Sequence, residues 1–375
     1  MNDYAVKLLQ ELVAIPSVNP GFSNAPVEYT GEERLGNFLL DWAKTNGIEV
    51  QRFRAAEGRP CVLLSTGPEN APSLLVSAHM DTVWTEMSSP FELQQHGDFL
   101  YGLGALDDKG PLVSALCAIR ELNKKKIALR FQVLASCDEE FGLIGIKYMI
   151  PEKLRPDMVI VAEPSSLQLI RTHKGSSRFT FQTNGKNVHA SLVPQGENAI
   201  YKAARLVGAL ERYSESMLRE PPHPLLGTNT LCVGTIHGGT QTSSVPDKCL
   251  LQVKFCSLPG ETMETIKERL RHALDSAETE YELVEEIFDA TPLDTPEEIP
   301  LIKRLQKILI QNGLDPTPQG VPYATESFRP AEFGIPAIVF GPGNIETAHT
   351  SAERIEIEQL CKSSSLLIDL VESWK

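Results

Sequence analysis

Apolar residues recur at Ala5, Leu8, Leu9, Leu12 and Val13, a spacing of three and four that predicts a helix over residues 3–14. Pro16 and Pro20 end it. The same period returns over 31–46, where Thr30-Gly31-Glu32-Glu33 reads as a capped start. Short apolar runs at 61–65, 74–78 and 129–136 read as strands, and a helix is expected from just after Gly110 to about Lys124. Met158 to Ala162 is a further buried-type strand. Strands alternating with helices predict a sheet covered by helices on both faces.

The texture changes near residue 174. Arg178 to Thr183 alternates polar and apolar, as a half-exposed antiparallel strand does. A long helix is expected over 198–219, strands over 229–236 and 249–256, and a helix over 261–278. A link rich in Pro, Asp and Glu at 292–300 precedes a return to the first texture, with a strand at 337–340 and a closing helix at 357–373. The expected architecture is α/β: a discontinuous catalytic domain (1–173 and 287–375) with a mixed sheet flanked by helices. An inserted α+β lid (174–286) carries a small antiparallel sheet and two helices.

A length of 375 residues fits two domains. No apolar run reaches the roughly 18 residues of a membrane helix, and the acidic start Met1-Asn2-Asp3-Tyr4 does not read as a signal peptide. Seven cysteines are scattered without a CxxC pair, which argues against a disulfide framework or thiolate zinc and for a reducing cytoplasm. The net charge of −14 disfavours nucleic acid and anionic membranes as partners.

Candidate chemistry clusters where predicted strands end. The run Leu74-Leu75-Val76-Ser77-Ala78 ends in His79-Met80-Asp81. Residues two apart on extended backbone share a side, so His79 can ligate a metal while Asp81 accepts its other ring N–H. Asp107 and Asp108 follow a glycine-rich turn and precede a helix. One is expected to cap that helix and the other to bridge two cations. Its GxG is no nucleotide fingerprint, because the third glycine and strand context do not fit. Glu139 and Glu140 follow the strand ending at Ser136, and neighbouring side chains there diverge. One is expected to bind metal and the other to act as general base. Glu163 follows the 158–162 strand, and His349 lies in a loop after Gly341-Pro342-Gly343. Singly these are commonplace loop residues. As an ordered set they offer the mixed N and O ligands of a hydrolytic two-metal site, with zinc foremost and cobalt or manganese as alternatives.

This set resembles the di-zinc amidohydrolase and metallopeptidase family that includes acetylornithine deacetylase, succinyl-diaminopimelate desuccinylase, aminoacylase and glutamate carboxypeptidase. The resemblance extends into the lid, at Asn187-Val188-His189-Ala190-Ser191 and Gly196-Glu197-Asn198-Ala199. It implies that His79 and Glu163 hold one zinc, Glu140 and His349 the other, and Asp107 both, with the peptide after Asp107 cis. Glu139 becomes the general base. His189 would reach the active site of a partner subunit and polarise the scissile carbonyl, so a homodimer through the lid is implied. The C-terminal run from Gly334 to His349, with Thr325-Glu326, looks most like acetylornithine deacetylases, and Glu326 could meet a substrate ammonium or lie on the surface. Two features depart from the pattern. Ser244 stands where many relatives carry asparagine before Val245-Pro246, and Lys254-Phe255-Cys256-Ser257 lacks the usual Asp-x-Arg before Pro259-Gly260. Lys254, Arg178 or Arg329 would then hold the substrate carboxylate, or the substrate lacks one. The implied activity is N-deacylation of an N-acyl amino acid. The alternatives are a dipeptidase, aminopeptidase or carboxypeptidase taking short peptides, or a non-catalytic binding member.

Overall fold

The computed structural model describes residues 2–374. They divide into two units, one of Met1–Arg171, Thr295–Gln319 and Thr325–Lys375, the other of Thr172–Asp294 and Gly320–Ala324. The boundary expected at 286 falls inside the strand Glu282–Ala290, which pairs with Ser176–Asn184 and so belongs to the second unit.

In the first unit, strands Glu49–Ala56, Arg59–Thr66, Arg130–Ser136, Ser73–His79, Met158–Val161 and Ala337–Val339 lie side by side in that order. Consecutive residues Leu74, Leu75, Val76, Ser77 and Ala78 are all buried. Successive side chains point to opposite faces, so both faces of this strand are covered. Ser73–His79 runs parallel to Arg130–Ser136, with His79 opposite Ser136, and parallel to Met158–Val161, with Ser77 opposite Val161. This register brings His79, the 137–140 turn and Glu163 to one edge of the sheet. Arg59–Thr66 runs antiparallel to Arg130–Ser136, so its first residues arrive at the same edge.

Helix Lys109–Leu122 is buried along nearly its whole length and packs against Asn2–Val13 and Ile357–Glu372. Helix Glu33–Thr45 packs on strands Arg59–Thr66 and Glu49–Ala56. The expected cap at its start is absent: Glu32 occupies the N-cap position without a side-chain cap bond, and Thr30 Oγ1 donates to the Val27 carbonyl. The link read over 292–300 leads into a helix, Pro300–Gln311, with proline in its first turn, where the missing N–H costs no helical bond.

In the second unit, Thr230–Gly238, Lys248–Cys256, Ser176–Asn184 and Glu282–Ala290 form an antiparallel sheet in that order. Alternation sends Phe179, Phe181, Leu251, Val253 and Phe255 into one core with Leu206 and Leu210 of helix Ala199–Met217 and Ile266 and Leu270 of helix Met263–Asp275. Asn198 caps the first helix by accepting from Tyr201 N at 3.2 Å, and Thr262 caps the second.

Candidate metal centre

The loop before helix Lys109–Leu122 is held from the C-terminal segment. The buried Glu353 carboxylate accepts from the backbone N–H groups of Gly104 (3.1 Å), Leu106 (3.0 Å) and Asp107 (3.1 Å). Gly104 has a φ of +75°, and a Cβ there would sit 2.6 Å from Thr82 Cγ2, so glycine is required. The Asp107–Asp108 peptide is cis. Neither acid caps the helix through its side chain: Asp108 is at the N-cap position without a cap bond, because its Oδ2 accepts from His79 N at 3.0 Å.

Asp107 is the meeting point. Its Oδ1 lies 3.0 Å from His79 Nε2 and its Oδ2 3.1 Å from His349 Nε2. His349 Nε2 also lies 3.0 Å from Glu140 Oε1. Glu163 joins His79, Asp107 and Asp108 in one group of donor atoms, and Asp107, Glu140 and His349 make a second. All five residues expected as ligands therefore come together at the sheet edge.

The orienting bond expected from the Asp81 carboxylate to His79 takes another form. His79 Nδ1 faces the main-chain oxygen of Asp81 at 2.9 Å, while the nearest Asp81 carboxylate oxygen is 3.7 Å away. Because the carbonyl can reach the ring, the carboxylate is free to turn toward the next strand's end. There it accepts from Glu139 N (3.0 Å) and Glu140 N (3.1 Å). Glu326, read as a substrate contact or surface residue, is buried beneath the site and accepts from Ser77 Oγ at 2.8 Å.

Burial dominates the electrostatics. It pushes the carboxyl of Glu163 up to about 8 against the pull of His79, with Asp107 and Glu326 adding repulsion. Burial also raises Glu139, Glu140, Asp108 and Glu326 above the usual carboxylate range. Asp107 is the exception: burial opposes its ionisation, but hydrogen bonds to His349 and His79 hold it well below that range. The same bonds from Asp107 and Glu140 lift His349 to about 11. Two imidazoles thus face an excess of desolvated carboxylates, and protonation is how the polypeptide alone limits that charge. Divalent cations would limit it better, and the imidazole N and carboxylate O donors suit them. The donor set therefore fits two metal ions sharing Asp107.

The second unit places His189 at the N-cap of the short 3₁₀ turn Ala190–Gln195, exposed, with Nδ1 2.9 Å from Ser191 Oγ. Asn187 Nδ2 ties this loop to the Val245 carbonyl at 2.8 Å. The three cations considered as carboxylate grips are engaged within the chain. Arg178 Nη2 donates to Asp289 Oδ1 at 2.7 Å, and Lys254 Nζ is 3.6 Å from Asp289 Oδ2. Arg329 donates to the Ile150 carbonyl (2.9 Å) and to Glu332 (2.9 Å). Sequence reasoning assigned no role to Asn19, Glu32, Arg59 or Glu353.

The family model described as peptidase family M20/M25/M40 matches residues 75–373. An acetylornithine deacetylase of Edwardsiella ictaluri is 29% identical over 98% of this chain and 97% of its own length. Among solved structures, a tripeptidase from Staphylococcus aureus superposes with a TM-score of 0.82 at 22% identity, covering 100% of this chain and 98% of that one. An M20-family metallo-carboxypeptidase from Sulfolobus solfataricus gives 0.79 at 20% identity over 99% of each. The chain belongs to peptidase family M20/M25/M40 and is a metal-dependent amide hydrolase resembling acetylornithine deacetylase.

Proposed function

We propose that this enzyme removes the acyl group from an N-acyl amino acid, with acetylornithine-like substrates first. Its cofactors are two divalent cations, zinc foremost with cobalt and manganese able to substitute. His79 and Glu163 hold one, Glu140 and His349 the other, and Asp107 both. What carries the reading is that each Asp107 oxygen meets a different imidazole, at 3.0 and 3.1 Å. Cations held by these residues would lower the pKa of a water and stabilise negative charge on the carbonyl oxygen.

Glu139 is the general base. Its carboxylate takes a proton from the attacking water and returns it to the leaving nitrogen, so that amide and water become carboxylate and amine. A base that ionises reluctantly in isolation suits this shuttle, and burial with Glu163 nearby supplies that property. Asp81 serves by holding the backbone of Glu139 and Glu140. His189 acts in trans on the scissile carbonyl, the enzyme being a homodimer through its second unit. Support comes from its exposed loop, built by Asn187 and capped at His189. Seven free cysteines support a cytoplasmic setting.

A second reading, hydrolysis of short peptides by a dipeptidase, aminopeptidase or carboxypeptidase, is favoured by the missing Asp-x-Arg. It is also favoured by the engagement of Arg178, Lys254 and Arg329 elsewhere. A panel of N-acyl amino acids, free dipeptides and blocked peptides decides between them. N-acetylornithine is expected to be turned over fastest, and cleavage of peptides alone overturns the deacylase reading.

A further inference from the structure

A buried polar network lies behind the Asp138-Glu139-Glu140 turn, and it begins at a residue far away in sequence. Arg59 opens its strand at the edge where the ligand-bearing strands end, because that strand runs antiparallel to Arg130–Ser136. Its Nη2 donates to Glu32 Oε1 (2.8 Å) and to Asp138 Oδ1 (2.7 Å), and its Nε to Glu32 Oε1 (3.1 Å). Glu32 Oε1 also accepts from Asp138 N at 3.2 Å. Asn19 Nδ2 closes the network, donating to Asp138 Oδ1 (2.9 Å) and to Asp81 Oδ2 (2.7 Å). Asn19, Glu32, Asp81 and Asp138 are all buried.

The turn needs such a hold. Asp138 has a φ of +65°, a left-handed conformation that non-glycine residues adopt at a cost and keep only where surroundings over-determine it. A Cβ on Gly142 would sit 2.5 Å from Asp138 Oδ2, so the folded-back side chain also depends on glycine there. Asp138 is gripped through Arg59 and Glu32 on one side, and Glu139 N and Glu140 N are gripped by Asp81 on the other.

We infer that Arg59 is a positioning residue: through Asp138 it sets where Glu139 and Glu140 stand, and thereby both turnover and the geometry of the Glu140–His349 metal position. The inference rests on the proposed roles of those two glutamates. A planar guanidinium can serve Glu32 and Asp138 at once, which a lysine ammonium does less well.

The test compares wild type with Arg59→Met, Arg59→Lys and Arg59→Ala. Each is loaded with cobalt(II), and three readouts are taken: the visible absorption spectrum per cobalt bound, kcat and KM, and thermal unfolding. Arg59→Met is expected to stay folded, change the cobalt spectrum, and lose about 100-fold in kcat, the scale of an ångström misplacement, with KM within about twofold. Arg59→Lys should recover about tenfold of that loss. Millimolar guanidinium should restore turnover to Arg59→Ala where equimolar ammonium does not. If Arg59→Met fails to fold, Glu32→Gln/Arg59→Met, which also removes the stranded buried carboxylate, takes its place. A folded variant with the wild-type cobalt spectrum and kcat overturns the inference. So does a loss that tracks only the unfolded fraction and ignores guanidinium. The cobalt spectrum needs no substrate, so wild type that cleaves nothing in the panel defeats the substrate reading while leaving Arg59 tested. Wild type that binds no cobalt defeats both.

Discussion

Charge is balanced on the sheet of the second unit and unbalanced at the acidic sheet edge of the first. In the second, Asp289 on the sheet receives two nitrogens of Arg178, a hydroxyl from Ser176 and the approach of Lys254. Arg269 likewise answers Glu220 and Glu261. These groups are partly exposed and close to neutral as sets. In the first, Asp107, Asp108, Glu139, Glu140 and Glu163 crowd one sheet edge around two histidines, and four of the five lie above the usual carboxylate range, chiefly through burial. Balanced charge at a surface contributes modest stability. Unbalanced charge in a buried pocket is held at a cost, and is where ligand chemistry is to be sought.

That contrast can be broken or sharpened by experiment. The largest effect is expected at the proposed shared ligand: Asp107→Ala should lose both cations and all measurable turnover, checked by elemental analysis after dialysis and by initial rates. Retention of two ions per chain would detach Asp107 from the centre. Glu139→Ala should keep both ions but lose about 10²–10⁴-fold or more in kcat. Near-normal turnover would remove Glu139 from the chemistry.

Next comes the pH dependence of the metal-free protein. Glu163 is raised from 4.5 to about 8, and Glu32 and Glu353 to about 7, chiefly by burial. The folded chain therefore keeps protons that the unfolded chain releases, and stability falls as pH rises from about 4.5 toward 8. His349, raised from 6.5 to about 11, acts in the same direction: its contribution is full below 6.5 and is lost toward 11. In chelator, the Tm should thus drop between pH 5 and pH 8, and added divalent cation should restore most at the upper end. A Tm that rises across this window would contradict the electrostatic picture. The smallest effect belongs to the second unit, where Asp289→Ala should cost no more than about 1 kcal/mol in urea unfolding. Several times that loss would show that its surface charges are as critical as the buried ones of the first unit.

Much of the fold was legible where one local rule dominated. The buried run Leu74 to Ala78 reads as a strand covered on both sides, and the alternation Arg178 to Thr183 as one covered on a single side. Glu49–Ala56 was missed because, as an edge strand, it is mostly exposed and carries Glu49, Gln51, Arg52 and Arg54. Helix Pro300–Gln311 follows the 292–300 link in a stretch read as no element, although Leu301, Ile302, Leu305, Ile308 and Leu309 carry its period. At the site, His79, Asp107, Glu139, Glu140, Glu163 and His349 are legible only as an ordered set, most of them just after an apolar run or a glycine-rich turn.

The partners of those residues announced nothing. Arg59 meets Asp138 across 79 positions and Asn19 meets it across 119, each contact made by a lone polar residue in an unremarkable stretch. Which oxygen of Asp81 faces His79, and which carboxylate caps no helix, likewise depends on distances between strands. Periodicity and residue type are local, so the sequence by itself determined most of the elements, the two-part organisation and the kinds of candidate ligand. Sheet register is non-local, and it alone decided that the ends of three parallel strands and the start of an antiparallel one share an edge, where desolvation turns ordinary acids into a candidate metal centre and its supports.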